Sequence, residues 1–174
     1  MGLRRALVLA VWLLAGLFLI IVGWSIAKDE MAPVGAEVGQ RAPDFTLSLL
    51  AGGEVRLSDY RGKVVFVNFW RTTCPICVEE LPEIQRLYEW APDDVVVLTV
   101  DIGEDPAAVK ALLTDGGYGF PVALDRDAAV AQQYLVEFIP TTFVIDANGV
   151  IREKYVGGLT FEQMRDMILR AREE

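Results

Sequence analysis

Two cysteines, and only two, occur in this chain, and their position leaves few folds open. They stand in Phe69-Trp70-Arg71-Thr72-Thr73-Cys74-Pro75-Ile76-Cys77. The apolar run Val64-Val65-Phe66-Val67-Asn68-Phe69 predicts a buried strand before them. Val78 to Tyr88 predicts a helix with an apolar stripe after them. Cys74 would then open the helix, where unpaired backbone N–H groups and the helix dipole stabilise an anion. A thiolate is the anion that thiol–disulfide exchange requires. Pro75 suits the first helical position, where a missing N–H breaks no bond. Cys77 lies one turn along, within reach of a disulfide and turned more toward the core. The pattern points to a redox dithiol.

Three plainer readings stand beside it. A structural zinc site needs about four ligands, usually Cys and His. Two cysteines and no histidine exclude a Cys/His site within one chain. A merely structural disulfide would close a very short loop, where the entropic gain is smallest. The third is a pair of buried free thiols acting as small hydrophobes. The dithiol reading needs neither metal nor cofactor.

Ala6 to Ala27 is a run of 22 residues without a charged side chain. That length spans a hydrocarbon core as a helix. Arg4 and Arg5 precede it, which places the rest of the chain outside the cytoplasm. The rival is a cleaved signal peptide, because Ser25-Ile26-Ala27 resembles a small-x-small cleavage site. A signal core is normally about 7–15 residues, so an uncleaved anchor is the expectation. From Lys28 onward, fourteen basic residues face twenty-five acidic ones, a balance of −11. Such a domain is a poor nucleic-acid binder.

The chain divides into an anchor over 1–28, a Gly/Pro-containing linker over 29–40 and a domain over 41–174. Phe45–Leu49 and Val55–Leu57 flank Gly52-Gly53 as a hairpin. Val95–Val100 reads as a central parallel strand. Asp105-Pro106 opens a helix that Asp115-Gly116-Gly117 ends. Phe120–Leu124 is a short strand, and Ala128–Tyr134 a helix. Thr141–Ile145 and Val150–Val156 flank the turn Asp146-Ala147-Asn148-Gly149. Thr160-Phe161-Glu162-Gln163 is a capping box for a closing helix to about Arg172. Alternating strands and helices, then a hairpin and a helix, give an α/β sandwich with a mixed sheet.

Four segments carry a resemblance. They are Leu57-Ser58-Asp59-Tyr60-Arg61-Gly62-Lys63, Val67-Asn68-Phe69-Trp70 with Cys74-Pro75-Ile76-Cys77, Glu80-Leu81-Pro82, and Ile139-Pro140-Thr141-Thr142-Phe143-Val144-Ile145-Asp146 with Asn148-Gly149. Over about residues 38–172 the chain resembles the thioredoxin superfamily, in its membrane-anchored TlpA/ResA-type branch. The resemblance implies a three-layer α/β sandwich with a mixed central sheet, an N-terminal β-hairpin and a central αβ insertion, preceded by one transmembrane helix. It implies that Cys74 is the nucleophile, Cys77 the resolving thiol, and the pair a redox disulfide. Pro82 falls where such proteins kink the active-site helix. Pro140 falls at their cis-proline, with Ile139 offering backbone groups to substrate. Asn68 and Thr73 depart from cytosolic thioredoxin, which has aspartate and tryptophan there. The branch gives the acidic role to the position of Glu80. The resemblance further implies protein disulfide substrates, apocytochrome c among them, and a membrane redox partner that re-reduces the dithiol.

The residues themselves add to this. Glu80 lies three residues past Cys77, on the same helix face, where a carboxylate can take the Cys77 proton. A solvent-facing helix charge is the alternative. Trp70, adjoining the motif, is expected on the substrate surface. Arg71 either stabilises the Cys74 thiolate or is a solvated charge. Two other functions remain open. A peroxidase of the peroxiredoxin type typically carries Pro-x-x-x-Thr-x-x-Cys, but Val67 and Arg71 stand at those positions. A non-catalytic adaptor built on the same fold is the second.

Overall fold

The computed structural model describes Trp12, Leu14, Ala15, Leu17 and residues 32–173. The chain forms two compact units, Met1–Ala32 and Pro33–Glu174. In the first, Trp12, Leu14, Ala15 and Leu17 are helical with exposed side chains. The expected membrane span, Ala6–Ala27, otherwise lies outside the described residues. Among the described residues, no helix is long and apolar enough to cross a membrane.

The second unit is built on one seven-stranded sheet. Its strands are β1 (Thr46–Leu49), β2 (Glu54–Arg56), β3 (Val64–Trp70), β4 (Val95–Ile102), β5 (Val122–Asp125), β6 (Thr141–Ile145) and β7 (Ile151–Val156). Their order across the sheet is β2-β1-β5-β4-β3-β6-β7. β3, β4 and β5 run parallel, and the outer strands pair antiparallel. The helices are α1 (Pro75–Trp90), α2 (Pro106–Gly116), α3 (Ala129–Gln133) and α4 (Phe161–Glu173). A 3-10 turn covers Leu57–Tyr60. The expected hairpin and the expected αβ insertion, α2 with β5, are both present.

The period of two along β3 sorts its side chains between two cores. Val64, Phe66 and Trp70 pack with Cys77, Leu81 and Ile84 of α1 and with Met164 and Ile168 of α4. Val65, Val67 and Phe69 face the opposite core, with Tyr134 and Phe143. Strands buried on both faces read as continuous apolar runs, as Val64–Phe69 and Val95–Val100 do. Local signals end the helices as expected. Asp105 Oδ1 accepts the Ala107 N–H at 3.0 Å, and Gly117 closes α2 at φ 68°, a left-handed conformation suited to glycine. Thr160 and Gln163 exchange capping-box bonds at the start of α4.

The linker expectation needs correction. From Pro33 the chain is bonded to the domain. The Gly39 N–H reaches the Ile151 carbonyl at 2.8 Å, and the Ile151 N–H reaches the Gln40 carbonyl at 2.9 Å. Ala36 is buried in the core that holds Tyr134. Strand β7 is a sheet edge, and this segment satisfies the outward backbone groups of its first residue, Ile151.

Candidate active site

β3 ends at Trp70, and the turn Arg71-Thr72-Thr73 delivers the chain to α1. Cys74 is the N-cap of that helix, and Pro75 takes its first position. The Cys77 N–H points at Cys74 Sγ, 3.2 Å away, so a helix-terminal donor serves the sulfur directly. Cys74 and Cys77 form a disulfide, with Cα atoms 5.2 Å apart. Cys74 is partly exposed and Cys77 fully buried. α1 runs unbroken through Pro82.

The Ile139–Pro140 bond is cis, and the Ile139 carbonyl oxygen lies 3.9 Å from Cys74 Sγ. Ile139 is partly exposed and Pro140 buried. The loop is anchored behind by the Gly157 N–H donating to the Pro140 carbonyl at 2.8 Å. Residues 65 positions apart therefore meet at one sulfur.

Glu80 is 3% exposed. Its Oε1 accepts the Leu159 N–H at 2.7 Å, and its Oε2 accepts from Asn68 Nδ2 at 3.1 Å. Asn68 also donates to Thr142 Oγ1 at 3.0 Å, tying β3, β6 and α1 together. Burial pushes the Glu80 carboxyl up to about 7, against the lowering effect of both hydrogen bonds. A carboxyl with that affinity exchanges protons near neutral pH.

Trp70 is not on the surface. It is 0% exposed and packs among Cys77, Leu81 and Phe120. Its place in β3 decides this: it shares a face with Val64, Phe66 and Asn68, and α1 covers that face. It supports the dithiol from beneath and offers no surface to a substrate. Arg71 is exposed, and its charge acts on Asp101, the last polar residue of β4.

A second acidic group escaped the sequence reading. Asp101 is buried beside Trp70 in the β3–β4 register, and its carboxyl shares a hydrogen bond with Glu104. Burial, followed by that bond and the Glu104 charge, pushes Asp101 up to about 7. Burial raises Glu104 too, but bonds from Asp101, Thr72 and Thr73 outweigh it and hold Glu104 below its ordinary range. Glu104 accepts both the backbone N–H and the hydroxyl of Thr72, the latter at 2.8 Å. The pair thereby holds the turn that leads into Cys74. The available signal was an acidic residue continuing the apolar run Val95–Val100, which in a buried parallel strand needs a partner.

Fold and site together define a thioredoxin-like protein with a dithiol–disulfide centre at a helix N-terminus. The AhpC/TSA family model matches residues 38–154, and the chain belongs to that family. The thiol-disulfide oxidoreductase ResA of Geobacillus kaustophilus is 43% identical over 128 residues, covering 73% of this chain and 74% of that one. ResA of Geobacillus thermodenitrificans is 40% identical over 151 residues, covering 86% and 87%. The crystal structure of the exposed lipoprotein thioredoxin of Streptococcus pneumoniae superposes with a TM-score of 0.68 at 30% identity, covering 74% of this chain and 99% of that one. The chain is a thiol–disulfide oxidoreductase of this type, with Cys74–Cys77 as its cysteine pair.

Proposed function

We propose that the chain is a membrane-tethered, extracytoplasmic reductant of protein disulfides, with apocytochrome c cysteines among its substrates. One observation carries the reading: a partly exposed Cys74 sulfur at the helix start faces the Ile139 carbonyl, while Cys77 is buried on the helix face that bears Glu80. In the reduced protein the Cys74 thiolate attacks one sulfur of a substrate disulfide. That S–S bond breaks, the departing sulfur takes a proton, and Cys74 carries a mixed disulfide. Cys77 gives its proton to Glu80 and attacks the Cys74 sulfur. The mixed disulfide breaks, the second substrate thiol leaves, and the Cys74–Cys77 bond closes. Two electrons have passed from dithiol to substrate. A membrane dithiol partner returns them by the same exchange. Arg4-Arg5 before the uncharged run Ala6–Ala27 supports the tether and the outward orientation. The peroxidase alternative lacks its threonine, since position 71 is an exposed arginine.

Cys77→Ser in the full-length chain tests this. It should trap mixed disulfides through Cys74 in the membrane fraction, apocytochrome c among them, while Cys74→Ser traps none. Trapping through Cys77, or recovery of a soluble product beginning near Lys28, would overturn the corresponding half of the proposal.

A further inference from the structure

Asn68 is the one polar residue of β3. The period of two puts it on the strand face of Val64, Phe66 and Trp70, beneath α1. It is fully buried, and its Oδ1 has no hydrogen-bond partner. A buried amide with one unsatisfied atom costs stability that a leucine in its place would not. Packing therefore does not account for the amide, and the work of its nitrogen does.

That nitrogen has two hydrogens and two acceptors. One is Glu80 Oε2 at 3.1 Å, the other Thr142 Oγ1 at 3.0 Å. A carboxylate oxygen only accepts, so the amide nitrogen, not its oxygen, faces Glu80. Asn68 and Thr142 are direct partners in the β3–β6 register, and Thr142 lies two residues past Pro140. Thr142 shares its sheet face with Val144, which packs under α1. The bonds close a ring. From Pro140 the chain reaches Thr142, whose hydroxyl oxygen accepts from Asn68, and Asn68 donates to Glu80 Oε2. Glu80 Oε1 accepts the Leu159 N–H at 2.7 Å, and Gly157, two residues before Leu159, donates to the Pro140 carbonyl at 2.8 Å. Both carboxyl oxygens are thus tied to the loop whose Ile139 carbonyl faces Cys74 Sγ.

We propose that Asn68, oriented by Thr142, is a positioning residue in the resolving step: it holds the Glu80 carboxylate ready for the Cys77 proton and ties that readiness to the Ile139–Pro140 loop. The proposal rests on the Glu80 step of the reading above. In that step the Cys77 thiol gives its proton to Glu80 and its sulfur bonds to Cys74 Sγ. The mixed S–S bond breaks, and its electron pair leaves on the substrate sulfur. No charged side chain competes with Asn68 for Glu80. β3, β6 and the segment Gly157-Gly158-Leu159 carry none, and α4 turns Met164 and Ile168 into this core. Asp101, on β4, is the other buried carboxyl of this sheet face, and Glu104 holds it.

The experiment is stopped-flow mixing, across pH, of the reduced full-length protein with an aryl disulfide whose released thiolate absorbs. The first equivalent released reports attack by Cys74, and the second reports attack by Cys77 on the mixed disulfide. In wild type the second phase should rise with pH about a midpoint near 7, where burial puts the Glu80 carboxyl. Asn68→Leu removes a donor that favours the carboxylate, so this midpoint should move up by about one unit and the rate at pH 7 fall about fivefold. Thr142→Val alters no atom of the Asn68–Glu80 pair and should move the midpoint in the same direction by less. Thr142→Ser keeps the hydroxyl and should restore wild type. A merely structural role would lower the unfolding midpoint and leave the pH midpoint in place. Second-phase midpoints within about 0.3 unit of wild type in both Asn68→Leu and Thr142→Val overturn the proposal. An equal shift in Thr142→Ser and Thr142→Val also overturns it, because the hydroxyl would then hold nothing. Should Asn68→Leu fail to fold, the two Thr142 variants decide alone. The Glu80 reading fails separately: a Glu80→Gln protein with an unchanged second phase overturns that reading, and this proposal with it.

Discussion

Glu80 is buried with two donors on its oxygens, and burial pushes its carboxyl up to about 7, well above the ordinary glutamate range. The folded state therefore binds its proton more tightly than the unfolded chain does. The stability this contributes is complete below about pH 4.5 and is lost as pH rises through about 7. Asp101, raised for the same first cause, acts in the same window. Denaturant unfolding of the oxidised protein should thus show stability falling between about pH 5 and 7.5. Glu80→Gln should flatten that fall, on the order of 2–3 kcal/mol, by removing its share. In stopped-flow reduction of a model disulfide across pH, Glu80→Gln should slow turnover by roughly tenfold, the low end of acid–base effects. Glu79→Gln, on the exposed face of the same helix, is the control. If the two variants give the same pH–rate profile, Glu80 moves no proton. The burial of Glu80 was legible because spacing from Cys77 sets its helix face. Trp70 departs from its expected surface position because parity in β3, not adjacency to the motif, decides which core a strand residue enters.

At the scale of elements, strand–turn–helix placement around the cysteines followed from apolar runs and caps, and β3, β4, α1 and the β6–β7 hairpin emerged close to their expected bounds. What holds the turn between β3 and α1 was not legible, because its partners lie 32 residues apart and meet only through strand pairing. Glu104 binds Thr72 and Thr73 only as an acceptor, and a protonated Asp101 supplies the fourth bond. Above about pH 7 Asp101 loses that proton, and two carboxylates face each other behind the turn. Amide exchange at Thr72 and Thr73, corrected for intrinsic base catalysis, should rise through this pH range in wild type. Asp101→Asn keeps a donor toward Glu104 at every pH and should show no such rise. Glu104→Gln should expose both amides at all pH values and change the Cys74 alkylation rate of the reduced protein several-fold. Exchange that is flat with pH in wild type, or unchanged in Glu104→Gln, would leave the pair without a hold on the turn. Leu135 adopts a left-handed φ of 52°, which was equally unreadable, since nothing in the residue type announces that conformation.

For the whole molecule, the fold class and sheet composition could be read from the alternation of strands and helices, but the start of the domain could not. Gly35, Gly39 and Pro33 give the segment a linker's composition. Composition does not show that β7 is an edge whose backbone groups need partners. The structure supplies those of Ile151 from Gly39 and Gln40, buries Ala36 and adds the Lys154–Glu37 ion pair. Cutting the chain at two places separates these views. A fragment from Pro33 keeps every one of those contacts. A fragment from Arg41 loses the two bonds to Ile151 and the one from Arg41 to the Pro33 carbonyl, and uncovers part of a core. Each such bond contributes about 1 kcal/mol, and the entropy of ordering eight residues offsets part of the sum. The shorter fragment should therefore be less stable by on the order of 2 kcal/mol in urea unfolding. The exposed ion pair contributes little to this, so the difference should persist in high salt. The shorter fragment should also self-associate with rising concentration, because an uncovered edge strand pairs with another copy. Both fragments keep the cysteine turn, so alkylation of Cys74 should proceed at the same rate in each when reduced. Equal urea midpoints for the two fragments would restore the linker reading and place the start of the domain at Arg41.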